Sequence, residues 1–238
     1  MITSRTIDYQ LGGKPHAGLL VFDDAAPPAA TVMVLHAWDG RSADQERFAH
    51  RLAALGYAAF AVDLYGKGVS GATPAECEAL MTPLLNDRAL LRRHLLDSVD
   101  VVKALPEVDG ARVAAIGFCF GGLCVLDLAR AGAPLKGVAS FHGLFIPPGV
   151  PSVTPIGPKV IAYHGWDDPM AKPDSVVAFG AEFTEGGADW QLLAFGGTLH
   201  SFMTEGANDP AMGVMYNAQS AARAWAGLEG FLAETIGS

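Results

Sequence analysis

Short apolar runs alternate with segments of helical periodicity along most of this chain, and that alternation restricts its fold more than any other feature. Strands are predicted at residues 31–36, 57–62, 113–117, 135–141, 159–164 and 190–195. Helices are predicted at residues 47–54, 121–131, 174–185 and 219–233, and over 74–105 with a break near Pro83. Strands that alternate with helices build parallel sheets, so the pattern predicts an α/β fold with a mostly parallel central sheet and helices on both faces.

The N-terminal segment does not share this alternation. Gly12 and Gly13 separate two runs of alternating polarity, which predicts an antiparallel hairpin at the edge of the sheet. A proline-rich stretch, residues 146–158, is predicted to be a loop. With 238 residues, 50% of them hydrophobic and 17% charged, the chain has the material for a single domain over residues 1–238.

The charge balance indicates a small-molecule partner. The formal net charge is −9, and the longest run of basic residues is the pair Arg92 and Arg93. Nucleic acids and anionic membranes are bound through basic patches, so we expect neither as a partner. The sequence leaves the oligomeric state open.

The location of the protein is predicted from its N-terminus and its cysteines. Residues 1–10 lack the apolar core of a signal peptide. The longest uncharged apolar stretch, residues 113–126, is shorter than the ~18 residues of a membrane span. The three cysteines, Cys77, Cys119 and Cys124, form neither a C-x-x-C pair nor a disulfide framework. We therefore expect a cytoplasmic protein.

Polar side chains follow several of the predicted strands. They are His36, Asp63, Cys119, His142, His164 and His200. Ligands of open α/β sheets bind outside the carboxyl ends of the strands, so these residues are the candidates for a site. No H-E-x-x-H or comparable spacing of metal ligands occurs, and we expect neither a metal nor another cofactor. His36, His142 and His164 are better explained as packing residues than as ligands.

The strongest local signal is the segment Gly117-Phe118-Cys119-Phe120-Gly121-Gly122, which follows a predicted strand and opens a predicted helix. This is the context of the nucleophile elbow G-x-S-x-G, with cysteine in the place of serine. Such a turn strains the central residue, and flanking glycines remove Cβ atoms that would clash. The helix N-terminus favours a thiolate there. The alternative is that Cys119 is an ordinary buried cysteine.

A cysteine nucleophile needs a base, and the base needs a group that orients it. Asp168 follows the strand predicted at 159–164, and His200 follows the strand predicted at 190–195. The order nucleophile, acid, histidine is the order of α/β-hydrolases. Taken singly, the Asp-Asp-Pro turn and the loop histidine each have a structural explanation. Together they predict a triad of Cys119, His200 and Asp168, with Asp167 as the less favoured acid.

The sequence resembles the dienelactone hydrolases (carboxymethylenebutenolidases) over nearly its whole length. The matching segments, in the same order, are residues 36–40, 62–66, 117–122, 141–143, 164–169 and 197–202. The resemblance implies the α/β-hydrolase fold. It implies that Cys119 is the nucleophile, His200 the base and Asp168 the acid. It also implies an oxyanion hole formed by the backbone N–H groups of Phe120 and Trp38, and a thioester intermediate that water hydrolyses.

Two positions depart from the family pattern. Ala37 stands where the members carry a glutamate that interacts with the resting thiol, and Asp39 is either a partial substitute for it or a solvated loop residue. Thr204 stands where the members carry an arginine that binds the substrate carboxylate. Anionic dienelactones are therefore not the substrates that we expect.

Apolar side chains flank the candidate site in the sequence, and about half of them are expected to line a mostly hydrophobic pocket. Those predicted to bind substrate are Trp38, Phe118, Leu144, Phe145, Trp166, Met170 and Met203. This composition predicts hydrolysis of small neutral esters or lactones. Two alternatives stay open, namely promiscuous hydrolysis of neutral phosphotriesters at the same site, and a thiol-based binding or redox-sensing protein that does not turn over.

Overall fold

An eight-stranded sheet is the framework of the structure, a computed structural model that describes residues 1–26 and 28–237. Its strands are β1 (Ile2–Leu11), β2 (Lys14–Asp23), β3 (Ala29–Leu35), β4 (Ala58–Ala61), β5 (Val108–Phe118), β6 (Gly137–Phe141), β7 (Lys159–Gly165) and β8 (Trp190–Phe195). They lie in the order β1-β2-β4-β3-β5-β6-β7-β8. The first two pairings are antiparallel and the rest are parallel, which confirms the predicted sheet and hairpin.

Helices cover both faces of this sheet, as predicted. They are α1 (Ala43–Ala54), α2 (Pro74–Asn86), α3 (Arg88–Lys103), α4 (Phe120–Arg130), α5 (Pro173–Glu185) and α6 (Ala218–Thr235). On one face, α1 and α6 bury Phe48 and Trp225 against the sheet. On the other face, α3, α4 and α5 contribute residues such as Leu95, Leu126 and Phe183 to a second core. The sheet is therefore buried on both faces, as its parallel strands require.

The helical region predicted over 74–105 is broken, as expected, but at Asp87 rather than at Pro83 itself, because α2 continues through Pro83 to Asn86 and α3 begins at Arg88. The carbonyl of Pro83 still accepts a hydrogen bond from the N–H of Asp87 at 3.1 Å. Asp87 leaves the helical conformation, with φ −112° and ψ 77°. Its side chain then caps α3 by accepting a hydrogen bond from the N–H of Leu90 at 2.8 Å. The chain breaks at the residue that supplies a cap rather than at the proline.

A network of charged side chains is buried between α3, α4 and α5. Asp127 accepts hydrogen bonds from Arg88 at 2.6 and 2.8 Å and from Arg130 at 3.1 Å. Arg130 also pairs with Glu182 at 2.7 Å. Arg88, Asp127 and Arg130 are each less than a tenth exposed. Burial raises the pKa of Asp127, and the two arginines oppose that shift.

Replacing Asp127 with asparagine is expected to lower the free energy of unfolding by about 3–5 kcal/mol, because the buried guanidinium of Arg88 loses its carboxylate partner and that of Arg130 keeps only Glu182. Urea denaturation monitored by circular dichroism measures this change. Asp109→Asn is the matched control, since Asp109 pairs with Arg112 at 2.7 Å on the surface, where ion pairs contribute little. Equal losses in the two variants would contradict the assignment of the buried network.

Candidate active site

Cys119 lies at the junction of β5 and α4 in a strained backbone conformation. Its φ is 54° and its ψ is −113°, a region that residues other than glycine rarely adopt. The backbone around it is firmly held, because the N–H of Cys119 donates to the carbonyl of Phe141 at 3.0 Å and its own carbonyl accepts from Leu123 at 3.1 Å. The sharp turn predicted at this position is present.

Two glycines allow the turn to close. A Cβ atom on Gly117 would lie 2.0 Å from the carbonyl oxygen of Gly121. A Cβ atom on Gly121 would lie 2.4 Å from the carbonyl oxygen of Leu35, at the end of the neighbouring strand β3. No side chain fits at either position, so the start of α4 packs directly on the backbone that follows β3.

His200 and Asp168 are brought together from two different loops. The Nδ1 atom of His200 lies 2.7 Å from Oδ2 of Asp168, and both residues are 2% exposed. The other oxygen of Asp168 accepts a hydrogen bond from the N–H of Met170 at 2.8 Å, which fixes the carboxylate plane. Asp167 is exposed, and its N–H donates to the carbonyl of Thr198 at 3.0 Å. Of the two adjacent aspartates, Asp168 is the one that contacts the histidine.

Two neighbouring side chains, Cys119 and Asp168, raise the pKa of His200. Burial alone would lower the pKa of the imidazole, but the charge of a Cys119 thiolate and the hydrogen bond to Asp168 outweigh it and raise the pKa of His200 to about 10. The Nε2 atom of His200 is buried and has no hydrogen-bond partner among the described residues. The raised pKa favours a protonated imidazole at His200.

The loop that carries His200 is held by a short hairpin that the sequence did not predict. Strands β9 (Asn208–Asp209) and β10 (Val214–Met215) pair with each other. The N–H of His200 donates to the carbonyl of Gly213 at 2.9 Å, and its carbonyl accepts from the N–H of Met215 at 3.0 Å. Strands of two residues are too short to show periodicity, so no sequence signal was available.

A cavity of about 380 Å³ opens beside Cys119. Its walls come from residues 37–39 after β3, from Asp44, Gln45 and Phe48 in α1, from residues 71–74 with Cys77, from Phe118, and from residues 201, 204, 207 and 214. Ala37 and Thr204, the two departures from the family pattern, both belong to this wall. Among the residues that line it are two aspartates, Asp39 and Asp44, and no lysine or arginine. Burial raises the pKa of Asp39.

The apolar residues predicted to bind substrate separate into two groups. Trp38 and Phe118 line the cavity. The other five lie outside its wall: Leu144 packs against the core, Phe145 is buried against Phe179, Trp166 and Met170 are exposed, and Met203 borders a neighbouring depression. Sequence position near the site did not distinguish the residues that line the cavity from those that lie outside its wall. Phe48, which sequence reasoning missed, reaches the cavity from α1.

The remaining strand-end residues have distinct surroundings. Asp63 is buried and accepts hydrogen bonds from three backbone N–H groups, which marks it as a turn-stabilising residue. His164 is buried without a hydrogen-bond partner among the described residues, next to Phe145. His142 has a positive φ of 37° and packs edge-to-face on the ring of His200, with 5.0 Å between centroids.

The backbone N–H groups of Phe120 and Trp38, which the sequence predicts as oxyanion donors, lie in segments next to Cys119. Phe120 is the first residue of α4, and Trp38 lies in the loop after β3. Within residues 1–26 and 28–237, neither N–H donates a hydrogen bond to the protein. Such donors can stabilise negative charge that develops on a substrate oxygen.

The described part of the chain holds neither a metal-binding cluster nor a helix that could span a membrane. It contains no group of three or more His, Cys, Asp or Glu side chains placed to hold a metal ion. Its helices include none with the length and apolar character needed to cross a membrane.

The sequence profile of the dienelactone hydrolase family matches residues 17–236. This chain belongs to the dienelactone hydrolase family. A protein of Aquifex aeolicus named as a carboxymethylenebutenolidase is 27% identical over 92% of this chain and 93% of its own length. The chain is thus a member of a hydrolase family whose relatives include enzymes acting on small molecules.

Two solved structures extend the comparison with other members of the family. A dienelactone hydrolase-like promiscuous phosphotriesterase from metagenomic libraries is 34% identical, with 99% of each chain covered and a TM-score of 0.90. A dienelactone hydrolase structure from Klebsiella pneumoniae is 19% identical, with 98% of this chain and 99% of that chain covered and a TM-score of 0.75, which supports the shared fold alone. The predicted family and the α/β-hydrolase fold are confirmed.

Proposed function

We propose that this chain hydrolyses small neutral esters or lactones, with Cys119 as nucleophile, His200 as base and Asp168 as the acid that orients it. The observation that carries this proposal is the strained thiol at the elbow, next to a buried histidine held at 2.7 Å by an aspartate. A nucleophile, a base and an orienting group in this arrangement are what covalent catalysis requires.

The proposed reaction begins with transfer of the thiol proton of Cys119 to Nε2 of His200. The raised pKa of His200 favours this imidazolium, and Asp168 keeps the remaining N–H on Nδ1. The thiolate attacks the ester carbonyl, and the N–H groups of Trp38 and Phe120 hold the oxyanion. His200 then gives its proton to the leaving alkoxide, which leaves a thioester. A water molecule, deprotonated by His200, hydrolyses the thioester and restores the thiol.

The substrate class is argued from the wall of the cavity. Trp38, Phe48 and Phe118 supply apolar surface, while Asp39 and Asp44 are its charged side chains. A substrate carboxylate would find no basic partner among these lining residues and would meet two acidic ones. We therefore propose neutral substrates, which is also what Thr204, in place of the arginine of the family, predicts from the sequence.

Rapid acid quenching during turnover of p-nitrophenyl acetate tests the covalent step. We expect an acetyl group on Cys119, detected by mass spectrometry, together with continued release of p-nitrophenol. Cys119 and Cys124 share the tryptic peptide 113–130, so fragment ions or a Cys124→Ala background are needed to locate the adduct. Steady turnover with the acetyl group on another residue would contradict the proposal. One equivalent of product without turnover would favour the binding or sensing alternative.

Hydrolysis of neutral phosphotriesters is a second candidate, and the observation that favours it is the 34% identical promiscuous phosphotriesterase. In this reaction the Cys119 thiolate would attack phosphorus, expel the aryloxide and form a P–S bond that water then cleaves. We expect slow but multiple turnover of paraoxon by the wild type and none by Cys119→Ala. Inactivation by one equivalent of paraoxon would argue against turnover of triesters.

A further inference from the structure

The peptide group between Ala37 and Trp38 is held by a buried histidine. The Nδ1 atom of His36 lies 2.6 Å from the carbonyl oxygen of Ala37, and its Nε2 lies 3.2 Å from the backbone nitrogen of Leu64. The N–H of Leu64 can only donate, so Nε2 accepts and the ring proton is on Nδ1. His36 therefore donates a hydrogen bond to the carbonyl of Ala37, and its ring is completely buried.

That carbonyl belongs to the same peptide group as the N–H of Trp38. A trans peptide is planar, and its C=O and N–H point in opposite directions. A group that fixes the carbonyl of Ala37 therefore also fixes the direction of the Trp38 N–H. Trp38 is one of the residues that line the cavity beside Cys119.

The next peptide group is held in the same way by a tyrosine. The hydroxyl of Tyr65 donates to the carbonyl of Trp38 at 3.0 Å. The rings of Tyr65 and His36 pack edge-to-face with 4.6 Å between their centroids, and the ring of Tyr65 also stacks on Phe120. The carbonyls before and after the Trp38 N–H are thus each bonded to a side chain, and these two side chains support each other.

We propose that His36 and Tyr65 are positioning residues that aim the N–H of Trp38 at the oxygen of the reacting group. This rests on the proposed function, in which that N–H stabilises the oxyanion. Neither side chain touches the substrate. Each acts through the backbone of the loop after β3.

The loop after β3 packs on the elbow at Cys119, and the turn after β4 that carries Tyr65 is itself held by hydrogen bonds. A Cβ atom on Gly121 would lie 2.6 Å from the carbonyl oxygen of His36, so the first turn of α4 packs directly on the His36 backbone. Asp63 fixes the turn that carries Tyr65 by accepting hydrogen bonds from the N–H groups of Tyr65 at 3.0 Å and Gly66 at 2.9 Å. The two oxyanion donors are therefore held in one rigid unit.

Both positioning groups stay in the form that donates. Burial lowers the pKa of His36, which keeps the ring neutral and preserves the lone pair that accepts from Leu64. Burial also raises the pKa of Tyr65, so its hydroxyl keeps its proton.

The test separates the oxyanion hole from the reactivity of the thiol. His36→Phe keeps a ring of similar size and removes both nitrogen contacts. We expect kcat for a neutral p-nitrophenyl ester to fall about 10- to 100-fold, because a lost or misdirected oxyanion donor has an effect of this order. KM and the rate at which iodoacetamide alkylates Cys119 should stay near the wild-type values, since alkylation forms no oxyanion.

Two further variants refine the result. His36→Asn places an amide N–H near the position of Nδ1 and should recover part of the lost kcat. Tyr65→Phe removes only the hydroxyl and should lower kcat by a smaller factor, again without changing alkylation. This second variant tests the proposal even where His36→Phe fails to fold.

His94→Phe is the matched control, because His94 is also a buried histidine and lies in α3 against His16 of the N-terminal hairpin. Its kcat should equal that of the wild type. The proposal is overturned if His36→Phe and Tyr65→Phe retain kcat, or if kcat and the alkylation rate fall together. Hydrolysis that persists in Cys119→Ala would instead overturn the proposed function, so the two failures are distinguishable.

Discussion

Replacing Cys119 with alanine is expected to lower kcat/KM for a neutral p-nitrophenyl ester by roughly 10⁴- to 10⁶-fold, the range that follows loss of a covalent nucleophile. The variant keeps the proposed oxyanion donors and the cavity, so binding and weak stabilisation of direct water attack should persist. Steady-state kinetics with purified protein, corrected for spontaneous hydrolysis, measures the loss. The pKa of His200 should also fall in this variant, because the Cys119 side chain is one of the groups that raise it.

Cys124→Ala is the matched control for this variant. Cys124 lies five positions further along the same segment, is fully buried in the core, and takes no part in the proposed reaction. Its replacement removes one thiol and leaves the elbow intact, so kcat/KM should stay near the wild-type value. If Cys119→Ala hydrolysed the ester as fast as Cys124→Ala, another residue would have to be the nucleophile.

Replacing Asp168 with asparagine is expected to lower kcat by roughly 10³- to 10⁴-fold while the fold is preserved. The N–H of Met170 donates to Oδ1 of Asp168, so an asparagine at this position would turn its own oxygen toward Met170. Its NH₂ group would then face Nδ1 of His200, which must accept instead of donate. The ring proton would move to Nε2, and His200 could no longer take the thiol proton of Cys119.

Asp167→Asn separates this tautomer effect from a simple loss of negative charge. Asp167 is adjacent in sequence and exposed, and its side chain has no hydrogen bond to His200. The two variants change the net charge equally, yet only Asp168→Asn should lose activity. Comparable losses in both would show that the field of the acidic pair, rather than the orientation of the imidazole, supports the reaction.

The fold and the proposed catalytic residues could be predicted because their signals are local. The alternation of strands and helices predicts the parallel sheet. The glycines around Cys119 predict the sharp turn, because a Cβ atom at Gly117 or Gly121 would clash with the backbone. Loops that follow parallel strands meet at one edge of the sheet, which brings His200 and Asp168 into contact. The order of Cys119, Asp168 and His200 along the chain, each after a strand, therefore predicted that their loops would meet.

The wall of the cavity could not be predicted in the same way. Phe48 reaches it from α1 and Cys77 from α2, although both lie far from Cys119 in sequence. Phe145, only three residues after His142, turns into the core instead. Neighbouring residues in a loop point in different directions, and which of them face a cavity depends on the elements that pack around it.

The sequence by itself determined the class of sheet, the elbow at Cys119 and the order of the proposed nucleophile, acid and histidine, because these depend on backbone periodicity and on steric space within a few residues. Only the tertiary structure decided that Asp168 rather than Asp167 bonds to His200, and that β10 holds the histidine loop. It also decided that His36 and Tyr65 bond to the carbonyls flanking the N–H of Trp38. These outcomes depend on hydrogen bonds between distant segments, which form only when packing has brought the segments together.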